Sequence, residues 1–179
     1  MYLEVNNYMS KIRICSIKQE FYDLFDNSCE LEKNDKRPCL IVLKLKYKGK
    51  KYDFAIPFRS NIYGHAKREE YFPLPPRKTT KKGKKHGLHY IKMFPIIKRY
   101  INSYYSDNKD NENDVRKIEK NFKKIVDEAQ DYLTNYEDGT RYNYCVDIDR
   151  VIKVVNNNSI VQQEAALSLH ENEKEENNK

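Results

Sequence analysis

The sequence lacks an apolar run long enough to cross a membrane. None of its 179 residues lies in a stretch that approaches the roughly 20 apolar residues of a membrane-spanning helix, so we expect no membrane partner. The first residues are neither basic nor followed by a long apolar run, which predicts no secretory signal and a cytoplasmic location. Tryptophan is absent too, but 15 Tyr and 7 Phe make the chain too aromatic for a disordered protein. The length favours one compact domain whose core needs no disulfide.

Motifs for metal binding and for common catalytic mechanisms are also missing. The four cysteines are too far apart for a CxxC site, and the four histidines show no zinc-finger spacing. No GxSxG, P-loop, HExxH or paired-carboxylate motif occurs, and the dispersed acidic residues disfavour a two-metal nuclease. We therefore expect no metal and no cofactor. Cys15 and Cys39 lie in apolar runs, which predicts buried free thiols in a reducing compartment.

Charge is present in excess but is unevenly distributed. The chain carries 34 Lys+Arg and 27 Asp+Glu, a formal net charge of +7. Residues 164–179 contain five Glu and two Lys, which predicts a flexible acidic tail with a net charge of −3. Residues 1–163 therefore form a basic domain of about +10, and such a domain attracts polyanions, of which nucleic acid is the commonest in a cell. Solubility alone is the alternative explanation of this charge.

The clearest local prediction is a β-hairpin. Residues 39–47 read CLIVLKLKY, apolar at first and then alternating, as expected of a central strand that emerges at one end. Residues 48–50 predict a tight turn in which Gly49 supplies a positive φ, and residues 51–57 predict the return strand. Before the hairpin we predict a strand at 12–15 and a short amphipathic helix between residues 17 and 26.

The remainder predicts further strands and two helices. Residues 61–87 form a long polar insertion with three prolines and a basic run, a kind of loop that is usually functional or disordered. Strands are predicted at 88–97 and 98–105. Asp114 is the predicted N-cap of a long helix, and a second helix is predicted from about 147 to 162. The fold class is then α+β: a compact single domain with a twisted antiparallel β-sheet and helices packed around it.

A basic surface rich in Lys, Arg, Tyr and His suits a metal-independent ribonuclease. RNA carries its own nucleophile, the 2′-hydroxyl, so the protein needs only to align it with the adjacent phosphate, neutralise the developing charge and transfer protons. A non-catalytic module that binds structured RNA would use the same surface. A DNA-binding regulator is the third possibility, but no convincing helix-turn-helix is present.

Three segments carry a family resemblance. Residues 36–43 read KRPCLIVL, residues 56–60 read IPFRS, and residues 87–96 read GLHYIKMFPI. With the helical C-terminal half, their order and spacing over roughly residues 12–162 resemble the ToxN/AbiQ family, which includes the CptN- and TenpN-like toxins. These proteins are the endoribonuclease toxins of type III toxin–antitoxin systems, which an RNA antitoxin inhibits.

The resemblance implies a specific activity and specific partners. It implies a bacterial, cytoplasmic endoribonuclease that cuts A-rich RNA and processes its own repetitive antitoxin precursor. The 2′-hydroxyl would attack the neighbouring phosphate without a metal, which leaves 2′,3′-cyclic phosphate and 5′-hydroxyl ends. The implied partners are the cognate antitoxin RNA pseudoknot, in a closed toxin–RNA hetero-oligomer, and cellular or phage RNA substrates.

The resemblance also assigns candidate catalytic residues. The family serine that follows Pro-hydrophobic-x falls on Ser60, which we expect to orient the 2′-hydroxyl or the phosphate. A basic residue before the central strand falls on Lys36, and His65 stands where some relatives carry a histidine. The family lysine two residues after the serine is replaced by Ile62, so Arg59 or a lysine of the insertion is expected to supply that cation.

A second set is expected to bind RNA through its backbone and bases. Its members are Arg77, Lys78, Lys81, Lys82, Lys84, Lys85, His86, His89, Tyr90 and Lys92. Among the histidines, His65, His86 and His89 could each donate a proton to the leaving 5′-oxygen. Stacking of bases on Tyr63, Tyr71, Phe72 or Tyr90 would give selectivity. The alternative for the basic run is a solvated lysine-rich loop.

Overall fold

The computed structural model describes residues 12–26, 29–103 and 109–159. These ranges contain seven strands: β1 (Arg13–Ile17), β2 (Cys39–Tyr47), β3 (Lys50–Ile62), β4 (Tyr71–Leu74), β5 (Lys85–His89), β6 (Phe94–Ile96) and β7 (Ile101–Ser103). Helix α1 (Gln19–Tyr22) is a single turn, α2 spans Lys109–Glu137, and α3 covers residues 148–159. Short 3-10 turns lie at Arg68–Glu70, Tyr90–Lys92 and Lys98–Tyr100.

The strands form one antiparallel sheet in the order β4-β5-β3-β2-β1-β7, and β6 also pairs with β3. The predicted α+β class, an antiparallel sheet with helices packed around it, is therefore confirmed. The strand prediction at 12–15 is met by β1, and the predicted C-terminal helix is met by α3. No helix within the described ranges is both long enough and apolar enough to span a membrane.

The predicted hairpin is the centre of the sheet. Strands β2 and β3 pair from Cys39↔Pro57 to Tyr47↔Lys50. Lys48 (φ 47°) and Gly49 (φ 72°) both adopt the left-handed conformation, as a two-residue hairpin turn requires. β3 is longer than predicted: beyond Pro57 it leaves β2 and pairs with β5. This extension carries the last three residues of the motif IPFRS, 58–60, beyond Cys39, the first residue of β2.

Alternating residues of β2 build two apolar clusters on opposite faces of the sheet. Leu40 and Val42 belong to a cluster with the apolar side of α2, whereas Cys39 and Ile41 belong to a cluster with α1 and α3. The α2 residues in the first cluster recur at helical spacing: Ile118, Ile125, Ala129, Tyr132, Leu133 and Tyr136. The predicted buried thiols are also found, because Cys15, Cys29 and Cys39 are buried and free and Cys145 is partly buried and free.

Three boundary predictions are wrong. Asp114 does not cap α2, which begins five residues earlier at Lys109. Asp114 instead lies within α2, and its buried carboxylate accepts a hydrogen bond from Arg77 at 2.6 Å. The segment 61–87 is not loop throughout, since it contains β4 and the start of β5. The predicted strand at 88–97 is divided between β5, a 3-10 turn and β6. Residues 104–105, 160–162 and the acidic tail 164–179 lie outside the described residues.

Candidate functional site

A cavity of about 600 Å³ opens where β3 leaves β2 and joins β5. Its walls come from the loop before β2, the end of β3, the segment between β3 and β4, the end of β5 with the turn that follows, and the segment between α2 and α3. The lining residues are Glu30, Glu32, Arg59, Ile62, Tyr63, His65, Ala66, Glu70, His89, Ile91, Lys92, Tyr142, Asn143 and Tyr144. The cavity therefore joins residues from five parts of the sequence. We refer to it as the β3–β5 pocket.

Cations and carboxylates alternate along one wall of the β3–β5 pocket. Arg59 forms an ion pair with Glu32, which also pairs with Arg37. The Lys92 ammonium lies 3.1 Å from a carboxylate oxygen of Glu30 and donates to the Glu30 carbonyl at 3.1 Å. Burial lowers the pKa of Lys92, and the hydrogen bond to Glu30 opposes that shift. Two loop carboxylates thus pair with three cations, of which Arg59 and Lys92 line the pocket.

His89, the last residue of β5, lines the β3–β5 pocket. Its side chain is only 4% exposed. Among the described residues, none hydrogen-bonds its buried Nδ1. Burial, and then the positive charges of Arg59, Lys92 and Arg37, lower the pKa of His89 to about 3. The imidazole is therefore neutral at pH 7 and retains an unused hydrogen-bonding nitrogen.

Aromatic side chains form the rim of the β3–β5 pocket. The His65 ring stacks on the Tyr63 ring at a centroid distance of 5.4 Å, and the Lys84 ammonium lies 4.4 Å from the Tyr63 centroid. Tyr63 is 55% exposed and Tyr144 is 66% exposed, although both are large apolar side chains. Exposed rings beside buried cations are suited to contact nucleobases while the cations bind the phosphate.

Ser60 lies next to this pocket but is not one of the residues that line it. Between Arg59 and Ile62, β3 advances three residues while β5 advances two, so Ser60 and Asn61 occupy a β-bulge. The Asn61 side chain accepts from the Lys81 N–H and donates to the Thr79 carbonyl. The bulge therefore anchors the basic loop 77–85 beside the motif that contains the serine.

Lys36 is exposed on the loop before β2, and its backbone N–H donates to the Asn34 side chain at 3.1 Å. The neighbouring Arg37 is the basic residue of this loop that shares a carboxylate with Arg59. Sequence reasoning missed Arg37, Glu30, Glu32 and Tyr144. The only sequence signal at the two glutamates is their i, i+2 spacing, which places both on one side of an extended segment.

The predicted RNA-binding set is divided among three places. His89 and Lys92 line the β3–β5 pocket, and Lys84 covers Tyr63 at its rim. Lys78, Lys81 and Lys82 are exposed on the basic loop. Lys85 extends over the Tyr71 ring and donates to the Ala66 carbonyl.

The remaining members face the interior. Arg77 pairs with Asp114 of α2, and one ring nitrogen of the buried His86 lies 2.7 Å from the Pro75 carbonyl oxygen. Tyr90 is fully buried and its hydroxyl donates to Glu128 at 2.7 Å. Tyr71 and Phe72 are buried as well, so Tyr63 is the one predicted stacking residue whose ring is exposed.

The chemistry available at the pocket is anion binding next to a neutral imidazole. Within the described residues, no group of three or more His, Cys, Asp or Glu side chains is placed to hold a metal ion. Arg59 presents a planar fork that matches two phosphate oxygens, and Lys92 presents a point charge. The arrangement can therefore hold a phosphodiester and exchange a proton with a group attached to it.

The neutral state of His89 gives folding a defined pH dependence. In the unfolded chain His89 has its ordinary pKa of 6.5, whereas in the folded chain the value is about 3. Below pH 6.5 the unfolded chain binds a proton at His89 that the folded chain does not bind. The stability that the neutral His89 contributes is therefore fully present above pH 6.5 and is lost as the pH falls towards 3. From about pH 7 to about pH 5, wild type should lose about 2 kcal/mol more free energy of unfolding than His89→Gln.

Urea unfolding of both proteins at the two pH values measures this difference. His86, whose pKa is also lowered by burial, is present in both proteins and cancels from the comparison. The charged groups of the pocket, Arg37, Arg59, Lys92, Glu30, Glu32 and Glu70, are likewise unchanged. An identical loss of stability in the two proteins would show that His89 is not buried in its neutral form.

Comparison with solved structures adds a relationship at the level of fold. The chain is similar to a protein from a bacterial antiviral system that a processed non-coding RNA regulates, with a TM-score of 0.60 and 12% identity over 79% of this chain and 95% of that chain. It is also similar to a protein from a bacterial type III toxin–antitoxin system, whose toxin a non-coding RNA pseudoknot selectively inhibits. In that case the TM-score is 0.55 at 16% identity, over 83% of this chain and 98% of that chain.

No protein-family model matches the sequence, and no curated protein matches it. At 12–16% identity the two solved structures show a shared fold. The similarity covers nearly the whole length of both solved chains. It therefore concerns an entire domain rather than a fragment. The resemblance to ToxN/AbiQ toxins inferred from three short segments is thereby confirmed for the fold.

Proposed function

We propose that the protein is an endoribonuclease toxin of a type III toxin–antitoxin system, and that the β3–β5 pocket is where it cuts RNA. The observation that carries the proposal is the convergence of Arg59, Lys92 and a neutral His89 in one cavity. The fold supports it, because the two similar solved structures come from systems regulated or inhibited by non-coding RNA. The bacterial origin and the cytoplasmic location of the protein are part of the same proposal.

The scissile phosphate binds by replacing loop carboxylates. A phosphodiester in the pocket competes with Glu32 for the Arg59 guanidinium and with Glu30 for the Lys92 ammonium. Charge grows on the phosphate oxygens as the 2′-oxygen attacks, so both cations bind the transition state more tightly than the bound RNA. Arg59 then supplies the cation that the lysine missing at position 62 would otherwise supply, since the side chain of Ile62 also lines the pocket.

RNA outside the scissile nucleotide contacts the rim and the basic loop. The exposed Lys78, Lys81 and Lys82 attract the backbone by counterion release, which confers affinity without reading sequence. Tyr63, with Lys84 above its ring, offers a surface for a base. Ser60, next to Arg59 in the bulge, remains our candidate for orienting the 2′-hydroxyl or phosphate. Lys36, a catalytic candidate on the sequence, is exposed and does not line the pocket, so we propose that it binds the flanking backbone instead.

A single assay separates a nuclease from a binding module. Purified protein is incubated with the repetitive RNA transcribed from the DNA directly upstream of its coding sequence, with and without EDTA. The proposal predicts fragments of repeat length that carry 2′,3′-cyclic phosphate and 5′-hydroxyl ends, formed equally well in EDTA. The same repeat RNA should form a closed complex with the protein and relieve its toxicity to growing cells. Tight binding of intact RNA without any cut would identify a non-catalytic RNA-binding protein instead.

A further inference from the structure

We infer that His89 is the general base of this site, the group that accepts the proton of the attacking 2′-hydroxyl. The inference rests on the proposed function, because it names the proton acceptor of the proposed RNA cleavage. It differs from the sequence prediction, which places His65 among the catalytic residues and His86 and His89 among the RNA-binding residues, and which gives all three only the role of proton donor to the leaving oxygen.

The position of His89 in the sheet separates it from the other described histidines. His89 is the last residue of β5 and lies opposite Tyr71 of β4, two positions along β5 from Gly87, the register partner of Arg59. A strand in the interior of a sheet holds a side chain more rigidly than a loop does, as proton transfer requires. The His89 imidazole is therefore held in the wall of the pocket, near Arg59 and Lys92, the cations proposed to bind the phosphate.

The other histidines have different surroundings. His65 is exposed at the rim, on the segment after β3, and its ring stacks on Tyr63. His86 is buried but does not line the pocket, and one of its ring nitrogens is engaged by the Pro75 carbonyl. Within the part of the chain that the structure describes, His89 is thus the one histidine that is both buried and part of the pocket wall.

The carboxylates among the described pocket residues are each engaged by an ion pair or a hydrogen bond. Glu30 pairs with Lys92, and Glu32 pairs with both Arg59 and Arg37. These cations favour the charged form of the two carboxylates, which makes them weaker proton acceptors. Glu70 accepts a hydrogen bond from the Lys67 backbone N–H at 2.8 Å. A serine of ordinary acidity such as Ser60 is not a base without a partner, and for Ser60 no such partner is found in the described ranges.

The charges around His89 couple its basicity to the reaction. Burial disfavours protonation of His89 most strongly, and the positive charges of Arg59, Lys92 and Arg37 disfavour it further, so the imidazole is in the proton-accepting form. Binding of the phosphate compensates these charges, and the additional negative charge of the pentacoordinate transition state compensates them further. The imidazole therefore becomes a stronger base as the 2′-oxygen–phosphorus bond forms. This interaction exists mainly in the transition state, the condition for it to accelerate the chemical step.

Cleavage then proceeds by proton transfer to His89 and displacement of the 5′-oxygen from phosphorus. The 2′-hydroxyl proton moves to the His89 imidazole while the 2′-oxygen bonds to phosphorus. The bond between phosphorus and the 5′-oxygen breaks, its electron pair stays on the 5′-oxygen, and that oxygen takes a proton from water at the open side of the pocket. When the products leave, the surrounding cations again disfavour the imidazolium, and His89 returns its proton to solvent.

The test measures single-turnover cleavage of the repeat RNA by His89→Gln and by a control, Lys153→Gln, which changes an exposed residue of α3 outside the pocket. We expect His89→Gln to reduce the rate by about 10²–10⁴-fold and to change RNA affinity by less than about threefold, as removal of a general base does. Lys153→Gln should stay within about threefold of wild type. A His89→Gln rate equal to that of wild type would overturn the inference. Absence of cleavage by wild type itself would instead overturn the proposed function.

Two further measurements distinguish a base from a structural residue or an acid. Imidazole added to His89→Ala should restore cleavage in proportion to its unprotonated fraction, which a variant damaged only in folding would not show. An RNA with sulfur in place of the scissile 5′-oxygen needs no proton on its leaving group. The His89→Gln defect should persist on that RNA, and full recovery there would assign His89 as the acid and contradict our inference.

Discussion

Replacement of Lys92 by methionine is expected to lower single-turnover cleavage of the repeat RNA by about 10²–10³-fold, the effect of removing one donor that stabilises transition-state charge. Lys92 lines the pocket and its side chain is only 8% exposed, so water cannot substitute for the lost ammonium. Methionine has a similar length, and Glu30, which is 46% exposed, can be solvated once its partner is gone. The fold should therefore remain intact, with the free energy of unfolding close to that of wild type.

Lys81→Met is the matched control for this variant. It removes the same charge from an exposed position on the basic loop. We expect the rate at saturating RNA to be unchanged, and the dependence of log affinity on log salt to become less steep by about 0.7, the loss of one contact to single-stranded RNA. If Lys92→Met cleaved as fast as Lys81→Met, the buried cation would not act on the reacting phosphate.

Gly87→Ala is expected to destabilise the protein by about 3 kcal/mol, at the upper end of the usual cost of overpacking. A Cβ at Gly87 would lie 2.1 Å from the Phe72 carbonyl oxygen, a backbone atom of the neighbouring strand that cannot rotate away. Strand β4 would have to move away from β5 to make room. Because Arg59 is the register partner of Gly87, the same displacement reaches the pocket, so cleavage should fall together with stability.

Gly49→Ala provides the comparison for this second variant. Gly49 lies in the hairpin turn with a φ of 72°, and a methyl group added there would meet no atom within 4 Å. Alanine at this position adopts a left-handed conformation at a cost of about 1 kcal/mol without any steric contact. Urea unfolding and cleavage are measured for both variants. Equal losses of stability, or a Gly87→Ala protein with normal cleavage, would mean that β4 and β5 are not packed as described.

The parts of the fold that depend on local signals could be predicted from the sequence. The hairpin follows from the alternation of residues 39–47 and from turn chemistry at Gly49. Strand β4 could not be found this way, because Pro73 lies within it and a proline argues against a strand. Pro73 is tolerated because β4 is at the edge of the sheet, and that position depends on its pairing with the distant β5.

The same distinction applies to Asp114. Its position before an apolar repeat has the form of an N-cap, but its partner is Arg77, which lies 37 residues earlier in the chain. A carboxylate that pairs with a distant arginine can lie inside a helix, and no local pattern reveals the pair. A helix start predicted at Asp114 is therefore five residues too late, although the apolar spacing that predicts α2 is confirmed.

Residues of the candidate site could be found where they lie on strands or in recognisable motifs. Arg59, His65, His89 and Lys92 all follow from the sequence, and the pairing of β3 with β5 brings them to one cavity. Glu30, Glu32, Arg37 and Tyr144 lie on irregular segments that have no periodicity to indicate a common face. Their contribution depends on how those segments pack, which is a property of the folded chain.

The central claim is that RNA is held and cut in the β3–β5 pocket. The NMR resonances of the His89 and His86 imidazoles test this claim most directly. The ligand is a repeat RNA with a 2′-deoxy nucleotide at the scissile position, which binds without being cut. We predict that the His89 resonances shift on binding and that its pKa rises from about 3, while buried His86, outside the pocket, stays unchanged. Tight RNA binding that leaves the His89 resonances and its pKa unaltered would contradict this prediction.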